Sequence, residues 1–183
     1  MKYIRILAAG FAAAVAATPA LADSCLQPVE RTAMEVRALQ SQLMVAALAC
    51  NKTDQYNAFV TRYQRDLGTA YNSVTSHFKR VHGSVQGQKQ LDIYITQLAN
   101  AQSQDGIDQG SFFCQNVSPL FQQAMVDQSS LATLASLSTQ SNVVIPYGLD
   151  TCGGASATPA VERSPGRRAA PARAATRART AKR

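Results

Sequence analysis

The chain is 183 residues long, carries 16% charged residues and has a formal net charge of +7. That charge divides into +2 over residues 1–22, −2 over residues 23–152 and +7 over residues 153–183, so the central part is slightly acidic and the high pI belongs to the C-terminal tail. No segment beyond the first 22 residues is apolar enough to span a membrane, which excludes an integral membrane protein once that segment is removed.

Met1, Lys2 and Arg5 open the chain with positive charge, and Ile6 to Ala17 follow as an apolar run. Charge followed by a short apolar core is the order of a secretory signal. Ala20-Leu21-Ala22 then supplies small residues where a signal peptidase needs them, which predicts cleavage after Ala22 and Asp23 as the new N-terminus. The run is too short for a membrane span, and Pro19 closes it. Cys25 is not read as a lipidation site, because Ala22-Asp23-Ser24 lacks the apolar residue three positions upstream. The destination is therefore periplasmic or secreted.

Residues 23–152 read as one all-α domain. Pro28 suits a first helical position, and Val36, Leu39, Leu43, Ala47 and Cys50 recur at helical spacing, which predicts a helix from about Val29 to Ala49. From Asn51 to Gly83 the series Tyr56, Phe59, Tyr63, Leu67, Tyr71, Val74, Phe78 predicts a single long helix. Asn51 or Thr53 is its expected cap, Lys79, Arg80 and His82 suit the negative end of its dipole, and Gly83 suits its terminus. Leu91, Tyr94, Ile95 and Leu98 mark a third helix within Gln88 to Gln104, with Asp105-Gly106 as the turn that ends it. Ser118-Pro119 reads as a cap and first residue, opening a fourth helix that continues past Leu134 with a break near Ser129-Ser130. Val143 to Ile145, bounded by Pro146 and Gly148, reads as an extended return segment. The expectation is an antiparallel bundle of about four to five helices.

After Cys152 the composition turns to Gly, Ala, Pro, Ser, Thr and Arg, with Val161 the one large apolar residue. Such a segment cannot bury enough apolar surface to offset its ordering, which predicts a disordered tail over residues 153–183.

Cys25, Cys50, Cys114 and Cys152 are separated by 25, 64 and 38 residues, which is neither redox nor zinc-ligand spacing. An even count in an exported chain reads as disulfides. Of the three connectivities, Cys50 with Cys114 and Cys25 with Cys152 are favoured: the first pair sits on helices that should meet in the core, and the second ties the ends of the domain together.

Candidate chemistry is sparse. His77 and His82 are five residues apart, roughly 140° around a helix, so they do not form a metal pair, and both read as surface or helix-end histidines. No nucleophile motif accompanies them. Asp105-Gly106-Ile107-Asp108 lacks the alternating ligands of a calcium loop and reads as a turn. No metal, cofactor or catalytic residue is assigned. The stripe of Tyr56, Phe59, Tyr63, Tyr71 and Phe78 reads as core with some hydroxyls at the rim. In the tail, Arg163, Arg167, Arg168, Arg173, Arg177, Arg179, Lys182 and Arg183 stand without interleaved aromatics. They suit salt-dependent contact with a polyanion, such as anionic lipid or lipopolysaccharide, rather than sequence-specific nucleic acid.

Leu43 to Cys50, Tyr56 to Val60, Tyr94 to Asn100 and Phe112-Phe113-Cys114 together resemble a group of small exported four-cysteine helical proteins of Gram-negative bacteria. The resemblance covers Cys25 to Cys114 and implies compartment and cysteine use; no activity or functional residue comes with it. The expected function is a non-enzymatic binding or scaffold protein, with an envelope component or envelope protein as partner. The alternative is a small hydrolase using a His with a carboxylate or Ser partner.

Overall fold

The computed structural model describes residues 24–126 and 130–152. The expected cleavage site after Ala22, Asp23 and the basic tail lie outside the described residues. Six α-helices are described: α1 (Pro28–Ala49), α2 (Thr53–Arg62), α3 (Gln64–His82), α4 (Ser84–Gln109), α5 (Phe113–Ala124) and α6 (Leu131–Gln140), with a 3₁₀ turn at Gly110–Phe112 between α4 and α5.

Helix α1 is the axis of the bundle. It touches every other α-helix, and its buried residues, among them Met34, Val36, Leu39, Leu43 and Ala46, lie all around it rather than on one stripe. A helix covered on most sides needs apolar residues at more than the usual positions, as Ala33, Met34, Val36, Ala38, Leu39 and Leu43 supply, whereas Met44, Leu48 and Ala49 near its C-terminus are exposed. Leu39 and Leu43 are both fully buried. Each side chain contributes about 1.5–3 kcal/mol by transfer alone. Pro28 occupies the first turn of α1.

The Asn51–Gly83 pattern produces two helices rather than one. Tyr63, at φ −103° and ψ 19°, interrupts the helical dihedrals between α2 and α3. Its amide still donates to the Phe59 carbonyl and its carbonyl accepts from Leu67, so the interruption is a kink. The two halves have different partners: α2 packs on α1 and α5, and α3 on α1 and α4. The kink redistributes the aromatic stripe. Phe59, Tyr63 and Phe78 are core, whereas Tyr71 stands exposed under the Arg37 guanidinium, 5.6 Å from its ring centroid.

Asn51 does not cap α2. It closes α1 instead, in the left-handed region at φ 56°, while the Lys52 amide donates back to Ala47 at 2.9 Å. This is a Schellman closure with Asn in the place usually held by Gly. Asn142 (φ 49°) closes α6 in the same way, with Val143 donating to Ser138 and Asn142 to Thr139.

Two further boundaries differ from expectation. Asp105-Gly106 lies inside α4, which runs to Gln109 and stops at Gly110 (φ 57°). Gly106 serves packing, not turning: a Cβ there would meet the Phe113 ring at 3.2 Å. Pro119 lies inside α5, which begins at Phe113. Proline's missing amide leaves the Gln115 carbonyl without its helical donor, and both residues are on the exposed face, where water supplies one. Helix α5 ends at Ala124 and α6 begins at Leu131, on either side of the break expected near Ser129-Ser130; Ser129 lies outside the described residues, and the Ser130 hydroxyl caps α6 by accepting from the Thr133 amide at 3.2 Å.

Gly83 (φ 77°) reverses the chain between α3 and α4, which form a helical hairpin. Gly87 then permits their close approach, since a Cβ there would fall 2.6 Å from the Phe78 carbonyl oxygen. Beyond α6, residues 143–152 form a strap without regular structure that returns to the N-terminus. Leu26 donates to Asp150 and accepts from Cys152, and the Cys25–Cys152 disulfide locks the junction. The second disulfide joins Cys50 at the end of α1 to Cys114 in α5. No cysteine is free among the described residues, and this pairing fits an oxidising compartment.

Candidate functional site

Two places carry organised polar chemistry. The first is a buried cluster where the start of α1, the end of α3 and the strap converge. Pro28 starts α1, so Glu30 falls in its first turn and accepts the Gln27 amide at 2.8 Å. Its carboxylate also takes Arg80 Nε at 3.1 Å and Nη2 at 2.6 Å, while Arg80 Nη2 donates in addition to the Cys25 carbonyl at 2.8 Å. His77 lies one helical turn before Arg80 with Nδ1 3.1 Å from Glu30 and Nε2 2.7 Å from the Tyr147 hydroxyl.

Burial alone would raise the Glu30 carboxyl, but the Arg80 fork, the Gln27 amide and His77 outweigh it and hold it below the ordinary carboxylate value. Burial pushes His77 down, against the partial opposition of Glu30. The imidazole is therefore neutral at pH 7, with Nδ1–H donated to the carboxylate and Nε2 accepting from Tyr147, an assignment taken from the network. Burial also raises the Tyr147 phenol. The rings of Phe78, Tyr94 and Tyr147 meet at 5.5 Å between centroids and close the cluster on its apolar side.

His77 is thus no surface histidine: its exposure is 0%. Position 77 lies beside Phe78 in the sequence, but the face of α3 that it occupies is covered by α1 and the strap. His82 keeps its helix-end position and stacks on Phe78 with centroids 6.3 Å apart. The line carboxylate–imidazole–hydroxyl has the order of a proton relay, yet its imidazole is sealed and its hydroxyl is held in the protonated form. Its hydrogen bonds fasten three chain segments together. Tyr147 escaped sequence reasoning; the only available signal was a large aromatic between Pro146 and Gly148 in an otherwise unstructured return.

The second place is an open cleft of about 460 Å³ between α1, α4, α5 and the end of α6. That size lies within the usual range for small-ligand sites. Gln42 comes from α1, Asp105 and Gln109 from α4, Asn116 from α5, and Asn142 from the closure of α6. Asn116 Nδ2 donates to Gln109 Oε1 at 3.0 Å, and Gln109 Nε2 donates to Asp105 Oδ2 at 2.7 Å, so the amides point in one direction along the wall. The fully buried Gln102 fixes the rim by donating to both the Ala38 and Val144 carbonyls. Gln42 is 6% exposed and its Oε1 has no hydrogen-bond partner. Among the described residues no Lys, Arg or His lines this cleft.

Asp105 and Asp108 lie on α4, bonded to Gln109 and Gln104 respectively, and not in a loop. Among the described residues no group of three or more His, Cys, Asp or Glu could hold a metal ion, and no helix is long and apolar enough to cross a membrane. The eight basic tail residues, Arg163 to Arg183, lie outside the described residues. No protein-family model, curated protein or solved structure matches the chain.

Proposed function

We propose that this chain is an exported binding protein of the bacterial envelope or its surroundings: a disulfide-stapled helical module that holds a ligand rather than transforming one, with a basic tail that attracts anionic envelope material. The observation that carries the reading is the enclosure of His77. His77, the histidine that meets a carboxylate and a hydroxyl, is sealed, and its hydrogen bonds serve the fold, whereas the open cleft presents carboxamides, which are neither acids nor bases near neutral pH, and one carboxylate, Asp105, already bonded to Gln109. The two disulfides support an oxidising destination.

The tail half of the reading is tested with the mature chain and a version truncated after Cys152, on vesicles containing anionic phospholipid. Full-length protein should bind at about 10 mM salt and release as the Debye length falls from about 30 Å to about 8 Å at physiological ionic strength. The truncated protein should not bind, and its thermal transition should be unchanged. Equal binding by both forms at every salt concentration would remove the tail from the function. A hydrolase reading draws on the Glu30–His77–Tyr147 line and requires the strap to lift; ester hydrolysis lost in His77→Gln, with folding intact, would favour it.

A further inference from the structure

We infer that the carboxamide-lined cleft between α1, α4 and α5 is a subsite for a neutral saccharide. The inference rests on the reading of the chain as a binding protein and adds to it the ligand's chemical class. Charge limits what the cleft can accept. Among the described residues Asp105 is the sole ionisable side chain on the wall and no cation lines it, so a carboxylate, phosphate or sulfate entering the cleft would lose its water without gaining a counter-charge from them.

The pattern of donors and acceptors suits hydroxyls. Asn116, Gln109 and Asp105 are locked in one donor-to-acceptor direction, which leaves acceptor oxygens at both ends of the row and an amide donor at Gln109 between them. A sugar hydroxyl both donates and accepts, so neighbouring hydroxyls on a ring can engage such a row without an unpaired partner. Gln42 stands at the inner wall with a carboxamide oxygen that is closed to solvent and unpartnered, so the accessible polar groups of the cleft are those of the Asn116–Gln109–Asp105 row. Val117, Leu120 and Val143 provide an apolar floor suited to the C–H face of a pyranose.

The test uses the mature chain labelled with ¹⁵N, reading the side-chain amide resonances while maltose, N,N′-diacetylchitobiose, glucuronic acid and trialanine are titrated in turn. At least one of the two neutral saccharides should shift the Gln42, Gln109 and Asn116 amides with a Kd of about 1 mM or tighter. Glucuronic acid should bind at least about tenfold more weakly than that saccharide. Gln109→Leu, on the half-exposed wall, should weaken binding at least about tenfold while leaving the melting temperature near wild type. Gln42→Leu should raise the melting temperature, because the unpaired oxygen is gone. Silence with both neutral saccharides, equal binding of glucuronic acid, or shifts with trialanine alone would overturn the inference. The vesicle experiment reads the tail and not the cleft, so the two readings fail separately.

Discussion

Replacing Glu30 with Gln keeps the volume of the side chain and removes its charge, at the point where α1, α3 and the strap meet. In the wild type one oxygen accepts from the Gln27 amide, His77 and Arg80 Nη2, and the other from Arg80 Nε. The Gln oxygen can take over the threefold position, but its NH₂ then faces Arg80 Nε, donor against donor. The loss is one charge-assisted hydrogen bond and the charge assistance of the others, about 2–3 kcal/mol. It stays below the cost of breaking a fully buried ion pair because the Arg80 side chain is 30% exposed and can turn to water. Urea denaturation at pH 7.5 measures this directly, and the melting temperature should fall by roughly 3 °C per kcal/mol for a domain of this size. The pH profile supplies the second readout. The folded His77 pKa lies below its ordinary 6.5, so the unfolded chain takes up the proton first; stability is complete above 6.5 and drains as pH falls below it. Glu30 adds a second loss as pH falls below its ordinary 4.5, since its folded pKa is depressed. In His77→Gln the first loss should disappear and the second remain. A Glu30→Gln protein within about 0.5 kcal/mol of wild type, or a wild-type stability that is flat from pH 7.5 to pH 5, would refute the structural role given to the cluster.

Gly87→Ala should destabilise by about 1–3 kcal/mol, because the new methyl meets the backbone at Phe78 and Lys79 and forces α3 from α4. Gly68→Ala, with nothing within 4 Å of its Cβ, should instead stabilise through helix propensity, by about 0.5–1 kcal/mol; equal effects at the two sites would contradict the packing. Alkylation without reduction should label none of the four cysteines, and Cys50→Ser or Cys25→Ser should each cost about 4 kcal/mol at most on the chain-entropy scale. The two costs are similar despite sequence separations of 64 and 127, because the 64-residue loop lies inside the larger one and shortens it. Mass spectrometry of the exported protein should find Asp23 at its N-terminus, and a species retaining Met1 would refute the processing site.

Local chemistry made part of this protein legible in the sequence. Helical periodicity from Tyr56 to Phe78, Pro28 at the start of α1 and Gly83 at the end of α3 depend on neighbours within a turn or two, so the all-α class and most helices could be read without tertiary contacts. The cysteine pairing was legible for a related reason: once the helices are placed, Cys50 and Cys114 fall on segments that have to meet. The errors came where one residue type serves two ends. Asn51 is as good a left-handed closure as a cap, and Gly106 as good a packing notch as a turn; only the Phe113 ring pressing on α4 decided the second. The cluster was the hardest to foresee. Glu30, His77, Arg80 and Tyr147 come from the first turn of α1, the last turns of α3 and the strap, and no local pattern links positions 47 and 70 residues apart. Whether His77 faced water or the core depended on the strap folding back across α3, a long-range event set by the Cys25–Cys152 bridge and the Leu26 ladder. The cleft is tertiary in the same sense: its carboxamides look like ordinary surface Gln and Asn until α1, α4 and α5 bring them to one wall.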